Sequence, residues 1–365
     1  MKHFTYLKMA VILAFFLISC EKETSLPEIN PFPEDLKMKI EHAVDEVFIQ
    51  SNTPGIIALV AIEGYDDLIV NRGVSDIVSQ EPMHESHYFR IASNTKTFTG
   101  QAVLMLADEG MISLDRSITH YLPEYNIPRG DEITVRMLGQ MRSGLFDYSY
   151  DEGLGMQFLE SNFLMTFPPD SLLAIAFRHP QNFNPGEGYQ YCNTNIVLLG
   201  LLLEKVTGES ADQVIYDKIL NPLQLLNTYW GSTYFLSSPY CRGYNYYILG
   251  EQTDATNWNP SYTYTAGQMV STIHDMKKWA KLNAEGVFLS DAMKAERFNF
   301  GPEGYGFCMM KANDNWIGHE GIIMGYNSEV FYNAAKKTTL VLYSNTNDDL
   351  PAHELLAKLV PLLGL

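Results

Sequence analysis

Residues 90–99 read RIASNTKTFT, and the reading of this stretch decides the rest of the chain. Ser93 and Lys96 stand three apart where helical periodicity begins. Residues so spaced on a helix share a face one turn apart, so the amine of Lys96 falls within reach of the hydroxyl of Ser93. A nucleophile at a helix N-terminus also gains from the positive end of the helix dipole and from free backbone N–H groups. The spacing alone is weak. Ser19-Cys20-Glu21-Lys22 fits it equally, and a serine before a helix serves as readily as an N-cap followed by a solvated lysine.

Outward from Ser93 the periodicities sort the chain. Residues 93–108 continue as a helix, with Phe98, Ala102 and Leu106 on one side and Gly110 as a stop. Upstream, PGIIALVAIEG (54–64) and DDLIVNRGV (66–74) read as two strands joined by a turn at 63–67. Before them, residues 36–50 space Leu36, Ile40, Val44, Val47 and Phe48 as an amphipathic helix. Downstream, residues 313–321, 326–334 and 337–345 read as three more strands, and 350–363 as a closing helix. Between them, TNIVLLGLLLEKV (194–206) is apolar nearly all round, which predicts a deeply buried helix. The expected fold is therefore α+β. An antiparallel sheet flanked by helices is assembled from the two chain ends (about 34–105 and 265–362), and a mainly helical lobe (about 106–264) is inserted between them. The chain shows no internal repeat.

Before this body, Lys2 and Lys8, an apolar run from Met9 to Ile18, and Ser19-Cys20 form a charged region, a short apolar region and a small-residue cleavage site. Leu17-Ile18-Ser19-Cys20 resembles the lipobox of bacterial lipoproteins, in which the cysteine is acylated. Residues 1–20 are thus read as a lipoprotein signal, with ordinary secretion and a chance cysteine as the alternative. Residues 21–33, EKETSLPEINPFP, are polar and stiffened by Pro27, Pro31 and Pro33, which predicts a flexible tether. The folded body is expected over 34–362. Attachment to a membrane is then through lipid on Cys20, and the expected location is the outer membrane of the cell envelope.

The 365 residues carry 43 acidic and 25 basic side chains, a net charge of -18, without a basic run. That balance argues against a nucleic-acid partner, since phosphate binding needs a basic face. Cys192, Cys241 and Cys308 are read as small buried hydrophobes, with one disulfide among them left open. No Gly-x-Ser-x-Gly elbow, phosphate loop or His-Glu-x-x-His zinc signature occurs. His84-Glu85-Ser86-His87 has the wrong spacing for the last. No cofactor and no metal is expected.

Two further stretches carry chemistry-bearing residues. In NFNPGEGYQYCNTN (182–195), Tyr191 and Asn193 stand two apart ahead of the buried helix, where a phenol and an amide can point into one cleft. Tyr343-Ser344-Asn345 repeats that pattern elsewhere, so it decides little alone. In WIGHEGIIMGYNSEV (316–330), His319 precedes Gly321 late in a strand, and a glycine in a strand interior often marks close approach of a ligand or another backbone.

Taken in order, the three motifs resemble the serine β-lactamase and penicillin-binding protein superfamily. Within it, the likeness is to the branch of class C β-lactamases, D-alanyl-D-alanine carboxypeptidases and related esterases. Residues 89–125, 133–148, 184–210 and 265–282 also resemble that family's recurring blocks, so the likeness runs from about residue 36 to the C-terminus.

The resemblance implies an acyl-enzyme on Ser93, with Lys96 and Tyr191 as the proton-moving groups and the choice of general base between them open. It implies an oxyanion site from the backbone N–H groups of Ser93 and of Ile322, the residue after Gly321. Asn193 would hold the substrate amide or the lysine, and His319 stands where many relatives carry lysine. Glu320, in place of a small or hydroxylated residue, would repel an anionic substrate if it faced the cleft. The expected substrates are esters or amides, such as D-amino-acid peptides or peptidoglycan-derived pieces. The alternative is a penicillin-binding-protein-like sensor that has lost turnover. The aromatic stretch 244–267 would wall the cleft or pack a long loop.

Overall fold

The structure, a computed structural model, describes residues 29–313 and 315–363. The signal segment, Cys20 and residues 21–28 lie outside the described residues. Residues 29–33, read from sequence as the end of a flexible tether, are instead held. Asn30 N–H donates to the Gly64 carbonyl at 2.9 Å and Asp66 N–H donates to the Asn30 carbonyl at 2.8 Å.

The strands in chain order are β1 (Gly55–Ile62), β2 (Leu68–Asp76), β3 (Glu81–Pro82), β4 (Phe89–Arg90), β5 (Tyr229–Trp230) and β6 (Tyr244–Asn245). They continue with β7 (Thr253–Asp254), β8 (Met269–Ser271), β9 (Met310–Ala312), β10 (Trp316–Ile323), β11 (Tyr326–Asn333) and β12 (Thr338–Ser344). Seven of them form one antiparallel sheet in the order β3-β2-β1-β12-β11-β10-β9. The two chain ends meet at the β1–β12 pair, where Leu59 lies opposite Val341. The α+β architecture with a large sheet closed from both ends is therefore as the sequence predicts. A small sheet, β4-β8-β5, sits beside it.

Strand β1 is apolar throughout because helices cover both faces of the sheet, and the period of two sorts its residues between two cores. Ile56, Ala58 and Val60 join Val44, Val47, Leu355 and Leu359, from the helices Glu34–Gln50 and Pro351–Leu363, in the smaller core. Ile57, Leu59 and Ala61 face the larger core, which includes Phe98, Leu106, Ile196 and Trp279. The helix Asn193–Thr207 is buried continuously from Thr194 to Leu203 and ends at Gly208, whose φ of 77° gives the left-handed cap that glycine allows. The turn carrying Ser93 packs against β10 and β11, and the helix that follows it, with Lys96, packs against this buried helix. Among the described residues, no helix is long and apolar enough to cross a membrane.

Candidate active site

Ser93 does not start the long helix directly. It occupies a 3-10 turn, Ala92–Asn94, that leads from β4 into the helix Thr95–Asp108. Ala92 is left-handed at φ 50°, a conformation that costs a non-glycine residue energy and persists where the surroundings fix it. Those surroundings are visible. Asn94 Nδ2 donates to Ser328 Oγ on β11 at 3.0 Å, and Ser328 Oγ donates to the Ile91 carbonyl at 3.2 Å. Gly321 on β10 completes the seat, because a Cβ there would collide with the Ile91 carbonyl oxygen and Ser328 Oγ. Farther along, Trp279 stacks on Phe98 with ring centroids 4.1 Å apart and donates to Thr97 Oγ1 at 2.8 Å.

One turn on from Ser93, Lys96 is fully buried. Its Nζ lies 2.8 Å from Ser93 Oγ and donates to the Ala266 carbonyl at 2.7 Å. The same nitrogen sits 4.9 Å from the centroid of the Tyr191 ring. Burial pulls the ammonium down to about 7, with Asp147 pulling weakly the other way. Burial likewise pushes the Tyr191 phenol well above 10, while its hydrogen bond with Ser93 draws it back. Near neutral pH the site thus holds a lysine that loses its proton easily and a tyrosine that keeps its own. Ser93 and Tyr191 each retain some exposed surface, so a substrate can reach the hydroxyl.

Asn193 is the first residue of the buried helix, behind Cys192 as N-cap. Its backbone N–H and its side-chain Nδ2 both donate to Asp147 Oδ2, at 2.8 and 3.0 Å, and Nδ2 also approaches Ser149 Oγ at 3.4 Å. Of the two roles expected of Asn193, holding the substrate amide or the lysine, the second is not seen: Lys96 Nζ bonds Ser93 and Ala266, while Asn193 Nδ2 is engaged by Asp147. A carboxylate at a helix N-terminus is favourably placed, and here it fixes the strand-like segment carrying Tyr191.

His319 is fully buried. Its Nε2 pairs with the Tyr305 hydroxyl at 3.1 Å and its Nδ1 with the Glu320 carbonyl at 2.6 Å. Burial, reinforced by Lys96, drives its pKa to about 3, so the ring is neutral. Its ring centroid lies 6.0 Å from that of Tyr191, which places it with the Ser93, Lys96 and Tyr191 cluster. Glu320 points to the opposite face of β10, where its carboxylate lies 3.6 Å from His353 Nδ1 on the C-terminal helix. Alternation along the strand sends residues 319 and 321 one way and 320 the other. Ile322 is exposed to 43%, and the same alternation puts its side chain on the Glu320 face.

Sequence reasoning missed Asp147, Ser328 and Tyr305. Asp147 was visible only as part of the block 133–148, and Ser328 and Tyr305 had no pattern to mark them. In the aromatic stretch, Tyr244 accepts from Ile77 N–H at 2.9 Å, Trp258 stacks on Phe163 at 3.7 Å, and Tyr264 donates to Glu204 at 2.6 Å. These rings pack a long loop. Cys192, Cys241 and Cys308 are free and buried. His84 turns to Ser86 and His87 to Glu81.

The "Protein flp" of Staphylococcus aureus strain MW2 is 25% identical over 329 residues, covering 86% of this chain and 64% of its own length. The chain thus spans just under two thirds of that relative. Among solved structures, a D-stereospecific amidohydrolase from Streptomyces sp. superimposes with a TM-score of 0.79 at 27% identity, covering 87% of this chain and 97% of the other. The D-amino acid amidase from Ochrobactrum anthropi SV3 shares the fold, with a TM-score of 0.77 at 24% identity over 90% of this chain and 99% of the other. The family model for β-lactamase matches residues 39–364, a span that contains Ser93, Lys96, Tyr191 and His319, and the chain therefore belongs to the β-lactamase family.

Proposed function

We propose that this protein is an exported serine hydrolase that acylates Ser93 with the carbonyl of an amide or ester, and that the favoured substrates are D-amino-acid derivatives lacking a free carboxylate at the recognised end. The observation that carries this reading is the buried Lys96 amine 2.8 Å from Ser93 Oγ. In the neutral form, its lone pair accepts the Ser93 proton while an N–H remains on the Ala266 carbonyl. Ser93 Oγ then bonds to the substrate carbonyl carbon. The resulting oxyanion is met by the backbone N–H groups of Ser93 and Ile322. Tyr191, which keeps its proton, delivers it to the leaving nitrogen or oxygen and is reprotonated from Lys96. Water, deprotonated by the same relay, releases the acid product and restores the serine.

The substrate preference follows from charge. A fixed ammonium at position 319 would draw a substrate carboxylate, whereas the neutral His319 offers no such attraction. Similarity to a D-stereospecific amidohydrolase supports the amide side of the proposal. The sensor alternative drew on Glu320 facing the cleft, and that side chain faces the C-terminal helix instead. Lipid attachment at Cys20, an outer-membrane location and cell-wall-derived substrates complete the proposal. They rest on the sequence of residues 1–20, and loss of palmitate labelling in Cys20→Ser is the expected result for the anchor.

Intact-mass analysis after exposure to a fluorophosphonate or a penicillin tests the chemistry. One adduct per chain is expected, mapped to Ser93 and missing from Ser93→Ala. A protein that remains unmodified by either probe overturns the proposal. Turnover of D-phenylalanine amide faster than of a D-alanyl-D-alanine peptide supports the substrate class, and the reverse order contradicts it.

A further inference from the structure

On the face of the sheet away from Ser93, β10 and β11 place Glu320 directly opposite Glu329. Like charges directly opposed across antiparallel strands destabilise the pair, so their retention on one face needs an explanation. His353, near the start of the C-terminal helix, leans over both. Its Nδ1 lies 3.1 Å from Glu329 Oε1 and 3.6 Å from Glu320 Oε2. Among the described residues, Glu320, Glu329 and His353 form a set whose candidate ligand atoms all lie within 4.8 Å of one another.

Glu329 is the unusual member. It is only 1% exposed, and its Oε2 closes no hydrogen bond, although Asn327 lies alongside. Buried carboxylates are ordinarily hydrogen-bonded through both oxygens, paired with a cation or bound to a metal. Even with both ring nitrogens protonated, His353 supplies one positive charge for two carboxylates and leaves Oε2 unmet. We infer that Glu320, Glu329 and His353 form a binding site for a divalent transition-metal cation such as zinc, on the opposite face of the strand that carries His319 and Gly321.

The geometry suits such an ion. Ligand atoms about 2.0–2.2 Å from zinc at a tetrahedral angle lie about 3.4 Å apart, and the two separations from His353 Nδ1 bracket that value. Two carboxylate oxygens and one imidazole nitrogen are an acceptable donor set for zinc, with a fourth position left for water. The His353 side chain is 55% exposed, which gives the ion a route in from solvent. Asn327 Oδ1 accepts from the N–H groups of Ala352 and His353 at 3.0 and 3.2 Å and so fixes the helix start that carries the third ligand. The sequence expectation of no metal came from signatures confined to one short stretch. Ligands at 320, 329 and 353, on three separate elements, leave no such pattern.

The test is zinc uptake by the full chain. The protein is stripped with a chelator, dialysed against zinc chloride and then against buffer, and assayed for metal and for thermal unfolding. The expected result is one equivalent more zinc in the wild type than in either Glu329→Gln or His353→Ala, with a zinc-dependent rise in unfolding temperature only in the wild type. Equal uptake by the wild type and His353→Ala, whose side chain is largely exposed and whose loss leaves the core intact, overturns the inference. So does a wild type that retains no zinc.

Discussion

Lys96 Nζ is shared between two oxygens, Ser93 Oγ at 2.8 Å and the Ala266 carbonyl at 2.7 Å, with the side chain fully enclosed. The helix fixes the first distance and the sheet-side turn Pro260–Ala266 fixes the second. That turn carries its own backbone strain, with Tyr264 at φ 39°. The amine is therefore held by two separately strained segments, and burial, more than any neighbouring charge, sets its proton affinity.

Enclosing an amine has a stability signature. The Lys96 pKa falls from 10.5 unfolded to about 7 folded. Between those values the unfolded chain binds more protons, so stability rises with pH across that window and the full penalty applies below about 7. Lys96→Met should be inactive yet more stable than the wild type by several kcal/mol near pH 7, with the gap narrowing as pH approaches 10. Urea unfolding of both proteins at pH 6.5, 8 and 9.5 checks the sign; a gap that widens with pH contradicts it.

Asp147 is the charge that most opposes this depression of Lys96. Asp147→Asn removes the negative charge while retaining an acceptor oxygen for the Asn193 N–H groups. The acid limb of the pH–rate profile should then move to lower pH. Loss of charge-assisted bonds at the helix start should cost about 1–3 kcal/mol in unfolding experiments. A limb that moves upward would show that Asp147 does not act on Lys96 through charge.

Tyr191 keeps its proton because burial pushes the phenol well above 10. Its replacement by phenylalanine should slow amide hydrolysis by about 10²–10⁴-fold. An activated ester, whose leaving group needs no proton, should be affected much less. Comparable losses on both substrates would assign Tyr191 to activating the serine rather than to the leaving group.

At Gly321, a methyl group meets the Ile91 carbonyl and Ser328 Oγ, both within the seat of the Ser93 turn. Gly321→Ala should therefore destabilise the fold by about 1–3 kcal/mol and reduce the acylation rate beyond what Ser328→Ala does. Acylation at the wild-type rate would mean that β10 moves aside at little cost.

Much of this was legible in the sequence because its signals are local. The short runs of apolar, β-branched and aromatic residues in 54–64, 326–334 and 337–345 and the apolar helix near 194–206 each encode one element. The Ser93–Lys96 spacing is a property of a single helix. The relationships that escaped are those set by distant partners. Whether Glu320 faces the cleft depends on which side of the sheet the C-terminal helix covers, and alternation gives only the relative facing of 319, 320 and 321. Asn193 turned to Asp147 because a loop more than forty residues upstream brings a carboxylate to the helix start. Asn30 is tied to the Gly64–Asp66 turn by backbone bonds, which no side-chain pattern announces. The short edge strands β3 and β9 likewise exist only through their pairing.

The most direct measurement is the second-order rate constant for acylation of Ser93 by a neutral fluorophosphonate between pH 5 and 10. A neutral Lys96 acting as the base predicts a rate that rises tenfold per pH unit to about pH 7 and is level above it, with the limb abolished in Lys96→Ala. No second limb should appear from His319, which stays neutral throughout. A rate that continues to climb to pH 10 would place the base on a group of much higher pKa and contradict a neutral Lys96 as the base.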